Sequence, residues 1–452
     1  MSISSFLVRN VTYPLWMLKD GRSEILRFVN HFQFIDKMDR TSLLARQKEK
    51  TKAILIHAYK NTVFYKTLFD AIGFDPYKMK DLEDIQAIPL LTKDIIRSHH
   101  DDLIAKNLQP DQVEVASTGG STGVPLSFLR DRRSIHIRKG QELFFDRWMG
   151  YRLGDKVSLF VAASHFDGVA DRLKARVRNA TCERTLRFDP HNITESYMEL
   201  FLKDFLRFHP AIIKCFPNSL RVFASFLNKK GIKPPPVTAI SCTGETLYAH
   251  QREMFQETFG GEVFEKVGTR ESGIIACECR LHNGMHVFTE GVFMELLDPE
   301  GNHVKPGEPG RVVITDLLNE AMPLIRYDLG DMAIASDGRY CQCGSPLPLV
   351  EKWLGRDRDI IVDSYGNPKP GYLFTEVIME MNLSTQFQIV QPDRENLMVR
   401  IVQNNDEVDF NLIQRQFQEI IGPKIRITFE PVQEIRREPS GKYAYVKSLV
   451  SY

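Results

Sequence analysis

The sequence predicts an α/β chain. A large N-terminal domain with a crossover parallel sheet and an antiparallel subdomain comes first, and a small, mobile α+β C-terminal domain follows. Three observations lead there. Short apolar runs suited to buried strands alternate with helical runs between residues 157 and 273. Turn-punctuated alternating segments take over from about residue 285. The last hundred residues form a compact strand, strand, helix, strand pattern. A chain of 452 residues, 43% hydrophobic and 26% charged, has ample apolar material for two or three cores.

Residues 41–105 repeat apolar positions at helical spacing with short polar breaks. "VSLFVAAS" (157–164) reads as a buried strand, "SYMELFLKDFLRFHP" as a helix stopped by Pro210, "AIIKCF" as a strand, and "SLRVFASFLNKKG" as a helix closed by Gly231. "VTAISCTGE" and "EVFEKVGTRESG" are strands that run into loops, with the helical "AHQREMFQETFGG" between them. Strand–helix–strand units at this spacing require crossovers and a parallel sheet, whose ligands sit at the carboxyl ends of the strands. "VFMELLDPEGNHVKPGEPGRVVITDL" alternates around Pro-Gly turns and predicts antiparallel pairs. Beyond it, Phe387/Ile389 and Leu397/Val399/Ile401 flank the turn "QPDREN". A helix then places Phe410, Ile413, Phe417, Ile420 and Ile421 on one face and ends at Gly422-Pro423, and Ile425/Ile427/Phe429 make another strand. The domain boundary falls near "LGRDRD", giving domains at 1–355 and 356–452.

Composition excludes several classes. Lys plus Arg is 59 against Asp plus Glu 58, so no basic excess marks a nucleic-acid partner. No run of 18 apolar residues predicts a transmembrane segment. The start, "MSISSFLVRNVTYPLWMLKDG", is apolar but broken by Arg9, Asn10 and Pro14. It lacks the cationic face of an interfacial helix and the pattern of a signal peptide, so it is expected to pack on its own domain. Seven cysteines without an export signal point to a reducing cytoplasm.

The chemistry is concentrated in loops. Ser117, Thr118, Gly119, Gly120, Ser121, Thr122 and Gly123 precede Val124-Pro125 in "STGGSTGVP". Glycine-rich turns after strands can aim several backbone N–H groups at a phosphate, and hydroxyls add rotatable donors. By composition alone the stretch reads as a linker. It is not a Walker loop, because the next lysine is Lys139. Four further residues form Cys-x6-His (Cys279, His286) and Cys-x-Cys (Cys341, Cys343), a donor set suited to tetrahedral Zn²⁺. Cys277 and His282 are rival ligands, and plain burial of small apolar thiols is the alternative.

Six segments, in order, resemble the adenylate-forming (acyl-CoA synthetase) superfamily. They are "STGGSTGVP", "CTGETL" (242–247), "VGTRESG" (267–273), "IRYDLGD" (325–331), "LGRDRD" and "PSGKYAYV" (439–446). "CECRLHNGMHVFTEG" and "CQCGSPLP" are similar to the phenylacetate–CoA ligase branch, whose members carry Cys and His there too. Thr269-Arg270-Glu271 and "TYPLWMLKDG" are similar to the CapK branch of capsular polysaccharide biosynthesis.

The resemblance implies an AMP-forming ligase with ATP/AMP, Mg²⁺ and coenzyme A as cofactors. A small-molecule carboxylic acid would be the substrate, and a thiol or amine the acceptor. Ser117 to Gly123 would hold the β- and γ-phosphates. Gly244, Glu245, Thr246, Gly268 and Thr269 would line the nucleotide site, and Asp331 would accept from both ribose hydroxyls. Arg356 would contact the ribose or phosphate side at the domain joint. Glu271 would hold Mg²⁺, while Arg270 and Lys442 would supply charge to the transferring phosphoryl group. This chemistry needs cations because a carboxylate must approach an anionic phosphate. Each of these residues has an ordinary surface or turn reading when taken alone. The chain departs from the family at Val267, where an aromatic residue is usual, at Arg270 and at Val124. His165 and Asn218 follow strands and are candidates for contact with a polar acid. A homodimer is compatible with the sequence, as is a catalytically silent nucleotide binder.

Overall fold

A computed structural model describes residues 3–117, 126–161, 169–190, 192, 194–356, 359–380, 386–402, 408–435 and 444–450. The chain opens with a broken helix, Ile3–Leu7, Val8–Thr12 and Tyr13–Lys19, with Pro14 accommodated near a helix start. Val8, Tyr13 and Met17 pack against Ile25, Val29 and Leu143, as expected of a helix held on its own domain. Its outer face nonetheless leaves Ile3, Phe6, Leu15 and Leu18 exposed. The Arg40–Asn61 and Val63–Ile72 helices begin at side-chain caps, Asp39 accepting from the Ser42 amide and Thr62 from the Tyr65 amide. Gly73, at φ +69°, closes the second.

The run before the hydroxyl-rich loop does not enter the main sheet. Val113–Ser117 (β1) pairs antiparallel with Ser127–Asp131 (β2), Ser117 opposite Ser127, as a separate two-stranded sheet. Asp131 then caps the Arg132–Trp148 helix by accepting from the Ser134 amide.

An 11-stranded sheet forms the centre of the molecule. Its parallel half comprises Val157–Phe160 (β3), Thr185–Arg187 (β4), Ile212–Cys215 (β5), Ala239–Thr243 (β6) and Glu262–Thr269 (β7) in the order β4-β3-β5-β6-β7. One face packs Phe160, Ile213, Cys215, Ile240, Cys242 and Val263 under the Glu195–Phe208, Pro217–Lys229 and Ala249–Phe259 helices. The opposite face meets Met149 at the end of the Arg132–Trp148 helix. Burial on both faces explains why these strands read as nearly continuous apolar runs.

The antiparallel strands do not stand beside this sheet; they continue it. β7 turns back into Gly273–Glu278 (β8), which pairs with Met285–Val287 (β9). Val292–Leu297 (β10), Pro309–Asp316 (β11), Tyr327–Ala335 (β12) and Leu349–Arg356 (β13) complete the order β8-β9-β13-β12-β11-β10.

Ile360–Val362 (β14) and Pro368–Pro370 (β15) form a short ribbon. Phe387–Gln391 (β16), Asn396–Val402 (β17), Arg426–Val432 (β18) and Val446–Ser448 (β19) make a four-stranded sheet in the order β18-β17-β16-β19. The hairpin around residues 392–395 is formed, and β17 and β18 are parallel across the Phe410–Ile421 helix. Ile413, Phe417 and Ile421 enter a core with Phe374, Phe387 and Ile389. Phe410, expected on that buried face, is 42% exposed and rests its ring on Phe429, because it stands at the helix start beyond the edge of the core. Tyr248 packs from the large sheet's side against this core, its ring 5.9 Å from Tyr445. Among the described residues no helix is long and apolar enough to cross a membrane.

Candidate active site and cysteine-histidine cluster

Gly268 sits where β7 and β8 shift register, and a Cβ there would lie 2.6 Å from the Gly273 carbonyl oxygen. Only glycine permits that approach, which folds Thr269–Ser272 into a tight turn closed by the Ser272 amide donating to Thr269 Oγ1 at 3.0 Å. The turn is held from three directions. Arg270 Nη1 donates to the Ser117 carbonyl at 2.9 Å, tying the turn to the base of the hydroxyl-rich loop. Arg138 donates to the Glu271 carbonyl and to the Asp316 carboxylate. The Tyr327 hydroxyl donates to Glu271 Oε1 at 3.3 Å. Burial, and then the charge of Glu271, push the Tyr327 hydroxyl well above its usual range, so it remains a donor. Glu271 is 5% exposed and is thus a carboxylate held in a fixed position.

Asp331 on β12 stands opposite Arg356 on β13. Arg356 Nε lies 3.1 Å from Asp331 Oδ1, and Trp353 Nε1 donates to Oδ2 at 3.2 Å. Arg356 Nη1 also donates to the Leu329 carbonyl at 2.9 Å. The Asp331 charge raises the Arg356 guanidinium further above its ordinary value, against the effect of burial. A carboxylate offers about four lone-pair sites, so Asp331 keeps acceptor capacity for a ligand. Gly355, at φ +92°, brings the end of β13 against Thr246, since a Cβ there would stand 2.7 Å from Thr246 Oγ1. The 244–246 loop, the β7–β8 turn and the Asp331–Arg356 pair therefore share one region at the carboxyl ends of β6 and β7.

Glu245 has a local task. Its Oε2 accepts from the Asn218 amide at 3.0 Å in the first turn of the Pro217–Lys229 helix, where a negative charge suits the helix dipole. Asn218, a candidate for acid contact, is 2% exposed and accepts from Gln251 Nε2 at 2.9 Å, which joins two helices. Its Oδ1 is thereby engaged between the two helices. Thr118, Gly119, Gly120, Ser121, Thr122, Gly123, Val124, His165 and Lys442 lie outside the described residues. The sequence reading missed Tyr327, Arg138 and Trp353. Tyr327 is legible in the sequence only as part of "IRYDLGD", and no motif there marks Arg138.

The second cluster lies where β8, β9 and the segment before β13 meet. The ligand atoms of Cys279, His286, Cys341 and Cys343 all lie within 4.8 Å of one another. Cys279 and Cys341 sulfurs are 3.6 Å apart, and Cys343 Sγ is 3.4 Å from His286 Nε2. A tetrahedral zinc with Zn–S near 2.3 Å spaces its sulfurs by about 3.8 Å. His286 Nδ1 faces the Leu347 carbonyl at 3.3 Å, which orients Nε2 toward the thiols. Burial pushes the His286 imidazole down to about 4 and the Cys279 thiol up to about 12, so the imidazole is neutral and the thiol needs a cation to ionise. The rivals are occupied elsewhere: Cys277 is packed with Phe144 and Phe145, and His282 pairs with Glu278 and Glu262.

Residues 370–449 match the family model for the CapK C-terminal domain. Phenylacetate-coenzyme A ligase of Thermus thermophilus is 24% identical over 92% of this chain and 98% of its own length. Phenylacetate-coenzyme A ligase of Aromatoleum evansii is 26% identical over 92% of this chain and 88% of its own. Among solved structures, a 2-hydroxyisobutyryl-CoA ligase in its postadenylation state superposes with a TM-score of 0.72 at 17% identity, over 91% of each chain. The fold is that of the adenylate-forming ligases.

Proposed function

We propose that this chain, a homologue of phenylacetate–CoA ligases with the adenylate-forming fold, is an ATP-dependent AMP-forming acid ligase. The observation that carries the reading is the convergence of three separately encoded groups. Asp331 is paired with Arg356, Glu271 is braced by Tyr327 and Arg138, and Arg270 is tied to Ser117. In the first step a carboxylate oxygen of the acid attacks the α-phosphorus of ATP, the bond to the bridging α–β oxygen breaks, and pyrophosphate leaves. In the second, a thiol sulfur attacks the acyl carbon and AMP departs, the thiol proton passing to solvent.

The residues divide this work by charge. Asp331 would accept the ribose hydroxyls, and Arg356 pairs with that carboxylate at 3.1 Å. Arg270 presents a guanidinium beside the start of the 117–123 loop, where the phosphates would lie. Lys442, on the tail segment, would place its ammonium between the acid and the α-phosphate. Mg²⁺ would be held by Glu271, a buried carboxylate with acceptor capacity beyond the Tyr327 bond, and would neutralise phosphate charge. Zn²⁺ would be held by Cys279, His286, Cys341 and Cys343 as a closed structural site, which the donor set and the oriented imidazole support. The joint between the two domains would lie at residues 356–359. The free thiols suit a reducing cytoplasm.

Coenzyme A is the default acceptor. The CapK C-terminal match favours a second reading, an amine or sugar acceptor in surface polysaccharide biosynthesis. The test is a pyrophosphate-release screen of purified protein with Mg-ATP over carboxylic acids, followed by coenzyme A and amino-sugar acceptors. Acid-dependent release followed by thioester formation supports the ligase. Amide formation without thioester selects the second reading. ATP binding with no release for any acid overturns both in favour of a silent nucleotide binder.

A further inference from the structure

The sheet face beneath the Arg132–Trp148 helix changes character along its strands. Val157, Ile212, Ala239 and Phe264 form an apolar cluster there with Met149. Residues two apart on a strand share a face, so Lys214, Ser241 and Lys266 stand on this same face, nearer the carboxyl ends. Lys214 is opposite Ser241 in register. Lys214 Nζ reaches Asp146 Oδ2 at 2.5 Å and Glu142 Oε1 at 2.8 Å, Lys266 Nζ reaches Asp146 Oδ1 at 3.1 Å, and Lys139 pairs with Glu142 at 2.6 Å. Three ammonium groups thus share two carboxylates.

This cluster is not fully satisfied. The Lys266 side chain is 7% exposed and, among the described residues, pairs with Asp146 alone, although an ammonium has three donors. Ser241 is 1% exposed, and its hydroxyl has no hydrogen-bond partner among the described residues. The same is true of Gln141 Oε1 on the covering helix and of Ser272 Oγ in the β7–β8 turn. A buried polar group left unpaired is destabilising, because its hydrogen bonds to water are lost without replacement. The cluster also leads to the reacting centre. Arg138 of the same helix donates to the Glu271 carbonyl, and Asp146 lies eight residues further, about 12 Å along the axis.

We propose that this face is the acid-binding wall, and that the substrate is a carboxylic acid carrying a second oxygen acceptor received by Lys266 Nζ and Ser241 Oγ. A hydroxyl, keto or second carboxylate oxygen would satisfy both groups. An aryl-acetic or plain alkanoic acid would seal them from water unpaired, which disfavours it. The inference rests on the ligase reading above, because it assigns the acid of that reaction.

The experiment measures kcat/KM for pyrophosphate release with acids of matched length: an ω-hydroxy acid, a dicarboxylic acid, an alkanoic acid and phenylacetic acid. The wild type is expected to favour an oxygen-bearing acid by about 10²-fold or more, because a site built to hydrogen-bond a group strongly rejects the analogue that lacks it. Preference for the dicarboxylic or the hydroxy acid identifies the acceptor as charged or neutral. Ser241→Ala and Lys266→Met are each expected to lower kcat/KM for the favoured acid by about tenfold or more, as loss of one such bond implies, and to leave the alkanoic acid unchanged or improved. Ser241→Ala keeps every ion pair and decides the matter if Lys266→Met fails to fold. Equal or better use of phenylacetic or alkanoic acid by the wild type, or selectivity that survives both substitutions, overturns the inference and leaves the ligase reading intact. Absence of release with every acid overturns both.

Discussion

At the scale of single residues, the ordinary reading and the functional one separate by what each side chain touches. Asp331 is held by Arg356 and Trp353 while retaining lone pairs, which suits a fixed ribose acceptor. Asp331→Asn is expected to raise the KM for ATP by about 10–100-fold, since charge-assisted hydrogen bonds contribute roughly 1.5–3 kcal/mol. The check is pyrophosphate release across ATP concentrations, and an unchanged KM would remove Asp331 from the nucleotide site. Lys442→Ala is expected to lower kcat for adenylation by about 10²-fold or more with ATP affinity nearly unchanged, measured by release assay and equilibrium binding. Glu245 shows the opposite outcome: a residue in a nucleotide-like motif also secures a helix N-terminus. Its loss would therefore lower stability as well as activity.

At the scale of elements, β8, β9 and the segment before β13 are joined by the Cys279, His286, Cys341 and Cys343 cluster. The protein is expected to carry about one zinc per chain by metal analysis. Cys341→Ser is expected to lose the metal and to lower the Tm, because a structural zinc contributes directly to folding free energy. Full retention of metal in that variant would refute the ligand assignment. At the same scale, the hydroxyl-rich sequence connects two antiparallel strands and does not follow a crossover strand. Among the described residues β1 and β2 pair only with each other, and Arg270 of the β7–β8 turn reaches the Ser117 carbonyl at the end of β1.

At the scale of the whole molecule, one continuous sheet carries both parallel and antiparallel halves, and its stability has a pH dependence that can be located. Burial, and then the nearby Glu278 charge, push the Glu265 carboxyl up from 4.5 to about 8. A carboxyl whose folded value is raised stabilises the fold below its unfolded value near 4.5, and that contribution is lost as pH rises toward 8. Glu265→Gln is therefore expected to match the wild type in Tm near pH 4.5 and to exceed it by about 2 °C or more above pH 8. Equal Tm values at both pH values would count against a raised Glu265. The sequence by itself determined the alternation of strands and helices, the antiparallel change after residue 285, and the order of the glycine and carboxylate loops. These are properties of local periodicity and of residue types with restricted uses. Only the tertiary structure decided which loops share a site. It alone showed that Tyr327 and Arg138 brace Glu271, that Asn218 accepts from Gln251 and so joins two helices, that Phe410 is left exposed, and that Lys214, Ser241 and Lys266 share one sheet face. The physical reason is that register, crossover and face are set by packing between segments far apart in the chain. A side chain's spare hydrogen-bonding capacity becomes visible only when its neighbours are in place.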